Sequence, residues 1–187
     1  GWFRFMLFQI VSFLLDVVAG LLCGACLLRV YMQWQRVPFG NPVGHLVFAF
    51  TDWMVLPLRR IVPAVGRWDM ASLLAALLVE LAQYGVLWLL IGAGAGWQWV
   101  PWLALWGVVR VAITGLMGLM IVYAVMSWVQ AHSPLSAVIS RLCEPVLRPL
   151  RRIIPLVGGM DLSPLVLLVL LQVALMVLGH LQGGLWT

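Results

Sequence analysis

The sequence predicts an all-α membrane protein with about four transmembrane helices in two parallel repeats. Each repeat is expected to contain a helix, a cytoplasmic interfacial amphipathic segment and a second helix. Hydrophobic residues make up 64% of the 187 residues and charged residues only 9%, so a soluble domain could not cover its apolar surface. Long apolar stretches occur four times, and one arginine-bearing motif occurs twice.

The four apolar stretches are the predicted membrane spans. Each approaches the roughly 20 residues that a helix needs to cross a hydrocarbon core about 30 Å thick. The alternation typical of strands is absent, which argues against a β-barrel. We expect the first stretch to be a retained helix, because it is longer than the apolar part of a signal peptide and lacks a cleavage site of small residues. The spans cover about residues 5–30, 70–91, 101–126 and 164–182.

The arginines predict the orientation of the chain. All 11 basic residues are arginine, and most lie in or beside two loops, residues 35–69 and 128–162, with Arg29 counted in the first group. The connection 91–109 carries none. Because arginine-rich loops stay on the cytoplasmic side, we expect both basic loops in the cytoplasm and both termini on the outer side of the membrane. A nucleic-acid partner is not expected, since these charges flank the membrane.

An internal repeat covers the chain. The segment Pro57–Pro63 returns as Pro149–Pro155, an offset of 92 residues (151 − 59), and predicts two repeats, residues 1–92 and 93–187. The first helices of the two repeats align at an offset of 94 instead (128 − 34). In these registers the matched pairs include Asn41 with Ser133, Asp52 with Glu144, Asp69 with Asp161, Glu80 with Gln172, and Trp34 with Trp128.

Each interfacial segment is expected to begin as a short helix at Asn41-Pro42 or Ser133-Pro134, with the first residue as N-cap. The apolar residues of the second segment share one face, which is typical of a helix lying in the membrane boundary. We expect Pro57 and Pro149 to end these helices. Asp69 and Asp161 are expected to cap the helices that return into the membrane.

Paired arginines follow each interfacial helix. Guanidinium groups at headgroup level suit bidentate binding of phosphate, on an anionic lipid or on a protein partner. The alternative is that they only obey the positive-inside rule. The candidate lipid- or partner-binding residues are Arg59, Arg60, Arg148, Arg151 and Arg152.

Three ionisable residues, Asp16, Glu80 and Arg110, lie within predicted spans, where an unpaired charge is costly. In the 94-residue register Arg110 is equivalent to Asp16, so the two are expected at similar depth. We expect them to form an ion pair, with Glu80 as the alternative partner. Such a pair would join the repeats, and a proton or ion path is the second interpretation.

Small residues at helical spacing suggest close packing of the first and third spans. Gly20 and Gly24 form one small-xxx-small face, and Thr114 and Gly118 form another. We expect these faces to meet within the chain, with dimerisation through one of them as the alternative.

No catalytic constellation, metal site or cofactor site is expected. Cys23 and Cys26 form a C-x-x-C at membrane depth, but the next residue is not the histidine that covalent haem attachment needs. The histidines are scattered, and no nucleophile, base and orienting group come together in the pattern. The sequence therefore predicts a protein that is not an enzyme.

The most specific motif lies in the second repeat and returns in weaker form in the first. It consists of Glu144-Pro145-x-Leu147-x-Pro149-x-Arg151-Arg152-Ile153-x-Pro155 and Gly158-Gly159-x-Asp161-x-Ser163-Pro164. On these residues the chain resembles the YggT family of bacterial membrane proteins, whose plastid and Gram-positive relatives are called YlmG. The first copy departs from the motif, with Asp52-Trp53 in place of Glu-Pro.

The resemblance implies roles in osmotic or ion stress tolerance, a neighbourhood of division genes and, in plastids, assembly of cytochrome complexes. Together with the arginine loops it predicts a non-enzymatic accessory protein of the inner membrane. Its expected partners are anionic lipid headgroups, further copies of itself or a larger membrane complex. The alternative is a small oligomeric ion-permeation or transport protein that uses Asp16, Glu80 and Arg110.

The predicted orientation is testable with a reporter fusion. A phosphatase that folds only outside the cytoplasm, fused after Thr187, should be active, because the positive-inside rule leaves the carboxyl terminus in the periplasm. The same enzyme inserted between Arg60 and Ile61 should be inactive. The reverse result would invert the predicted topology.

Overall fold

The computed structural model describes residues 1–92, 94, 96–129, 132–154 and 161–183. This part of the chain contains six α-helices. They are α1 (Trp2–Trp34), α2 (Pro42–Arg59), α3 (Met70–Leu90), α4 (Trp99–Val129), α5 (Pro134–Arg151) and α6 (Ser163–Gly183). Helices α1, α3, α4 and α6 are long and apolar enough to cross a membrane, so the all-α membrane fold is confirmed. Pro155, Gly158 and Gly159 of the repeated motif lie outside the described residues.

The first helix of each repeat extends beyond its predicted span. Helix α1 continues to Trp34 and α4 continues to Val129. Arg29, which the sequence groups with the first basic loop, therefore lies inside α1 and is only 4% exposed. The helix can continue through this residue because carboxylates from neighbouring segments compensate the buried charge, as described below.

The interfacial helices α2 and α5 begin at the expected caps. The Asn41 side chain accepts a hydrogen bond from the Gly44 backbone N–H at 2.8 Å. Ser133 and Ser136 form a reciprocal capping box, with the Ser136 N–H donating to Ser133 Oγ at 3.2 Å. These bonds satisfy donors that a helix start would leave unpaired.

Pro57 and Pro149 do not end α2 and α5, so that prediction was wrong. Both prolines lie inside the helices, which run on to Arg59 and Arg151. A proline removes one backbone hydrogen bond and crowds one carbonyl of the preceding turn. The final turn is retained because ion pairs hold the last arginine of each helix.

Packing within and between the repeats sets the architecture. Helix α1 packs mainly on α3 and α4 mainly on α6, while α3 and α4 join the two repeats. The interfacial helices cover one end of this bundle: α2 lies on α1 and α3, α5 lies on α4 and α6, and α2 touches α5. We call this the α2/α5 end. Three buried clusters support it: one with Cys23, Cys26, Val55, Ala71, Ala75 and Ala76, one with Met120, Ile139, Cys143, Leu147 and Leu167, and one with Met32, Val37, Val47 and Leu142.

Most apolar side chains of the spans point away from the bundle. Between 11% and 22% of the residues in each spanning window are buried, so protein contacts cover only a narrow stripe of each helix. Large residues such as Val169, Leu170 and Val173 are exposed. A hydrocarbon environment is the solvent that such a surface requires.

The small-residue faces meet only in part. A side chain built at Gly24 of α1 would contact Val111 of α4 at 3.7 Å, so the two helices approach each other here. Nothing lies within 4 Å of the equivalent positions at Gly20 and Gly118, and Thr114 is exposed. Gly24 and Gly118 therefore do not form the expected contact within the chain. The second face is left for lipid or for another copy.

Gly44 provides a test of the loop that precedes α2. A Cβ atom at this position would lie 2.1 Å from the Phe39 carbonyl oxygen, a backbone atom that cannot move without displacing the loop. We expect Gly44→Ala to destabilise the protein by about 1–3 kcal/mol, as overpacking does. Gly115→Ala in α4, where nothing lies within 4 Å, should leave stability unchanged or raise it by up to about 1 kcal/mol. Thermal unfolding in mild detergent measures both, and equal midpoints would contradict the proposed crowding.

Candidate functional site

Four charged residues form a cluster in the first repeat that we call the first ionic node: Arg29, Asp52, Arg59 and Asp69. Arg29 Nη1 of α1 donates to Asp52 Oδ1 of α2 at 2.7 Å, and Arg29 Nε lies 3.7 Å from Asp69 Oδ2. The same Asp69 oxygen accepts from Arg59 Nη2 at 2.6 Å. Asp69 is 1% exposed, so two guanidinium groups compensate one almost completely buried carboxylate.

Further contacts fix the orientation of Arg29. Its Nη1 atom also donates to the Thr51 hydroxyl at 2.9 Å, and its guanidinium lies 4.7 Å from the centre of the Phe48 ring. Asp69 in turn caps α3, since its oxygens accept from the backbone N–H of Ser72 at 3.3 Å and from the Ser72 hydroxyl at 2.6 Å. The first node thus ties α1, α2 and the start of α3 together.

The second repeat contains a second ionic node, formed by Tyr123, Glu144, Arg151 and Asp161. Arg151 of α5 is its centre: Nη1 donates to Glu144 Oε2 at 2.8 Å and Nε donates to Asp161 Oδ2 at 2.8 Å. Arg151 Nη2 also donates to the Tyr123 hydroxyl. Asp161 Oδ1 accepts from the Ser163 backbone N–H at 3.0 Å at the start of α6. The node therefore joins α4, α5 and α6.

The two nodes are equivalent in the repeat registers but use different cations. Asp52 corresponds to Glu144, Asp69 to Asp161 and Arg59 to Arg151 at the 92-residue offset, while Arg29 corresponds to Tyr123 at the 94-residue offset. The carboxylate pair is retained in both repeats. Where the first helix supplies a guanidinium in the first repeat, it supplies a phenol in the second, and Arg151 takes the central place.

Sequence reasoning did not identify Arg29 and Tyr123 as members of these nodes. A signal was present, because Arg29 immediately follows an apolar stretch and its register partner is a hydrogen-bonding residue. In both repeats the capping aspartate also forms a salt bridge with the first arginine of the pair, Arg59 or Arg151.

Electrostatics keep the second node charged. Burial by itself would raise the pKa of Asp161, but the Ser163 backbone N–H and the Arg151 guanidinium outweigh it, and the pKa is lowered. Burial also acts to lower the pKa of Arg151, whereas hydrogen bonds to Glu144 and Asp161 raise it above the ordinary arginine value. Both shifts favour the ionised forms of the two partners.

The structure divides each pair of candidate arginines between two environments. Arg59 and Arg151 are bonded to carboxylates of the nodes. Arg60, Arg148 and Arg152 are exposed, and among the described residues none of these three forms an ion pair. The predicted phosphate-binding residues therefore do not act as equivalent pairs: one arginine of each pair is bonded to a carboxylate, and its exposed neighbour forms no ion pair within the described residues.

The three intramembrane charges do not pair as expected. Asp16 accepts a hydrogen bond from Gln83 Nε2 at 3.0 Å, and the described ion pairs do not include one between Asp16 and Arg110. Asp16 and Arg110 each interact electrostatically with Glu80. Helix α1 packs mainly on α3, so Asp16 finds its partner on that helix rather than on α4.

Glu80 is buried between α3 and α4. It is 2% exposed, and its Oε1 atom has no hydrogen-bond partner among the described residues. A Cβ atom at Gly107 of α4 would lie 2.5 Å from Glu80 Oε2, so the absence of a side chain at Gly107 makes room for this carboxyl group. Towards the end of the bundle opposite α2 and α5, a cavity of 440 Å³ lies between the helices and is lined by Arg110, Tyr84, Trp88 and Gly179 among others.

Comparisons with known proteins are consistent with this repeated architecture. The family described as CCB3/YggT matches the chain twice, at residues 8–90 and 102–182. The chain is 38% identical over 167 residues to "Uncharacterized protein YggT" of Escherichia coli (strain K12), which covers 87% of this chain and 86% of the relative. It is 35% identical over 180 residues to "Uncharacterized protein in proC 3'region" of Vibrio alginolyticus, covering 94% and 97% of the two chains. No solved structure matches.

Replacing Arg29 should reveal the strength of the first node. Arg29→Gln leaves Asp52 and Asp69 without their shared guanidinium, and breaking a buried ion pair in this way costs about 3 kcal/mol or more. Arg67→Gln, which removes an exposed arginine of the loop between α2 and α3, should change stability by less than about 0.5 kcal/mol. Unfolding in a denaturing detergent measures both variants. Equal losses would show that Arg29 is not a structural centre of the repeat.

Proposed function

The chain belongs to the CCB3/YggT family, and on that premise we propose that it is a non-enzymatic accessory protein of the bacterial inner membrane. In this proposal its α2/α5 end faces the cytoplasm and binds anionic phospholipid headgroups, with both chain termini in the periplasm. The arginines of the α2/α5 end supply the binding groups.

One observation carries the proposal: the acidic residues of the α2/α5 end already form ion pairs within the chain. Asp52, Asp69, Glu144 and Asp161 all belong to the ionic nodes, where they bind Arg29, Arg59 or Arg151. Arg60 and Arg152 are exposed and find no carboxylate within the described parts of the chain. A phosphate group from outside the chain is the complementary ligand for such guanidiniums.

The nodes also support the proposal by fixing where the free arginines sit. Arg60 directly follows Arg59, and Arg152 directly follows Arg151. The backbone of each free arginine is therefore next to a residue that an ion pair holds in place. Holding a binding group near its working position reduces the conformational entropy that ligand binding must overcome. Arg59 and Arg151 thus act as positioning residues rather than as lipid ligands.

Helix α5 has the surface that this role requires. Its buried side contains Ile139, Leu142 and Leu147, while Ser140 and Arg148 are exposed. Because protein contacts bury the apolar side of α5, the side left for lipid headgroups is polar and basic. The proposed consequences for the cell are envelope organisation, assembly of a larger membrane complex or osmotic stress tolerance, each of which would use a protein attached to lipid at this surface.

The lipid role is tested by neutralising the free arginines. Replacing Arg60 and Arg152 together by glutamine should weaken binding of phosphatidylglycerol by about 30-fold, because each basic residue near an anionic surface contributes about 1 kcal/mol. Arg4→Gln, an exposed arginine near the other end of α1, is the matched control and should change little. Native mass spectrometry or a titration in detergent measures the affinities at low and high salt. Equal binding of phosphatidylcholine, or an equal loss for Arg4→Gln, would refute the proposal.

A second candidate function is ion permeation or transport through the bundle, by an oligomer if several copies assemble. It is favoured by the buried Glu80, whose Oε1 atom lacks a partner among the described residues, and by the cavity that contains Arg110. Substrate and ion sites of membrane transporters commonly lie between repeats near the middle of the bilayer. In this candidate Asp16, Glu80 and Arg110 would line the path.

Liposomes that contain only this protein separate the two functions. If the chain is an accessory protein, we expect no ion flux above that of empty liposomes under a potassium or proton gradient. Transport would give a robust flux that is lost in Arg110→Ala and Glu80→Gln but retained in Arg4→Gln. Such a flux would replace the accessory role as the leading function.

A further inference from the structure

A polar cleft lies between the end of α4 and the first half of α5, and we call it the α4/α5 cleft. Its volume is about 630 Å³, within the roughly 300–1,000 Å³ typical of small-molecule sites. The residues that matter for its chemistry are Tyr123, Met126, Ser127, His132, Ser136 and Ser140. The cleft is separate from the exposed arginines that follow α5.

The first repeat fills the equivalent space with its own aromatic rings. Phe48 of α2 stacks on Phe39 with ring centres 4.7 Å apart and planes 15° from parallel, and its ring also faces the Arg29 guanidinium. In the 92-residue register Ser140 replaces Phe48. The second repeat therefore lacks the Phe48 ring and has a cleft beside Ser140.

Hydrogen-bonding groups in the cleft are available to a ligand. Ser133 and Ser136 bond to each other in the cap of α5. Ser127, His132 and Ser140 are exposed, and the hydrogen bonds of the described residues include none from their side chains. The described residues of the lining include no arginine, lysine or carboxylate, so they offer hydrogen-bond donors and acceptors rather than a site for a phosphate.

We propose that the α4/α5 cleft binds the ring of a lipid-soluble quinone. A quinone has a flat ring, and the stacked phenyl groups of the first repeat show that flat rings fit beside this type of helix pair. Its two carbonyl oxygens can accept hydrogen bonds from Ser127, His132 or Ser140. Met126 supplies an adaptable apolar wall for the ring. The isoprenoid tail stays in the hydrocarbon that surrounds α4. Only reversible binding is proposed, with no electron transfer.

Binding of decyl-ubiquinone to the purified full chain in detergent tests this site, with quenching of tryptophan fluorescence as the readout. The wild-type protein should bind the probe saturably. Ser140→Phe restores the ring of the first repeat and should weaken binding by about tenfold or more, since the ring occupies the site. Ser127→Ala and His132→Ala should each weaken it by about 3- to 10-fold, the effect of one lost hydrogen bond.

Two controls make the result decisive. Ala49→Phe adds the same ring to an exposed position of α2 and should leave the affinity unchanged within about twofold. Decanol, which has the tail but no ring, should fail to compete with the probe. Absence of saturable binding by the wild type, wild-type affinity in Ser127→Ala and His132→Ala, or equal competition by decanol would each overturn the proposal, whether or not Ser140→Phe folds.

Discussion

The carboxylate at the start of each returning helix is the interaction on which the α2/α5 end depends. Asp69 caps α3 and binds the arginine that ends α2, and Asp161 accepts from the N–H of Ser163 at the start of α6 and binds the arginine that ends α5. In each repeat one side chain thus holds two helix ends together beside the apolar bundle. A carboxylate beside the apolar bundle stays ionised at low cost only while a guanidinium compensates its charge. The loop, the cap and the interfacial helix therefore form as one unit.

The two repeats meet this electrostatic requirement in different ways, and the difference changes their surfaces. In the first, Arg29 reaches from α1 to both carboxylates, and Phe48 covers its guanidinium. In the second, Tyr123 takes the position of Arg29, so the arginine at the end of α5 must serve both carboxylates alone. The ring beside this guanidinium is that of Tyr123, 5.6 Å away, and Ser140 stands in the place of Phe48. The cleft between α4 and α5 is the consequence.

The nodes bear on function because their ion pairs engage the acidic residues near the α2/α5 end. What remains at that end is an excess of exposed guanidiniums on a rigid support, which is suited to an anionic surface. The middle of the bundle is different. There Asp16 is satisfied by an amide from α3, and Glu80 lies beside Gly107 with one oxygen unpaired among the described residues. The α2/α5 end presents exposed cations at the membrane surface, whereas the middle of the bundle holds a buried carboxyl group. The two regions therefore support different candidate functions.

The sequence by itself determined the spans, the internal repeat, the helix caps and the all-α membrane class. These features depend on composition and on residues close together in the chain, such as Asn41 with Gly44 or Asp69 with Ser72. Only the tertiary structure decided that Arg59 and Arg151 pair with carboxylates, that Asp16 bonds to Gln83 rather than Arg110, and that α2 and α5 continue through their prolines. The physical reason is that a charged side chain takes the partner that helix packing brings within hydrogen-bond distance. Residues 67 positions apart, like Asp16 and Gln83, meet only after the bundle has formed.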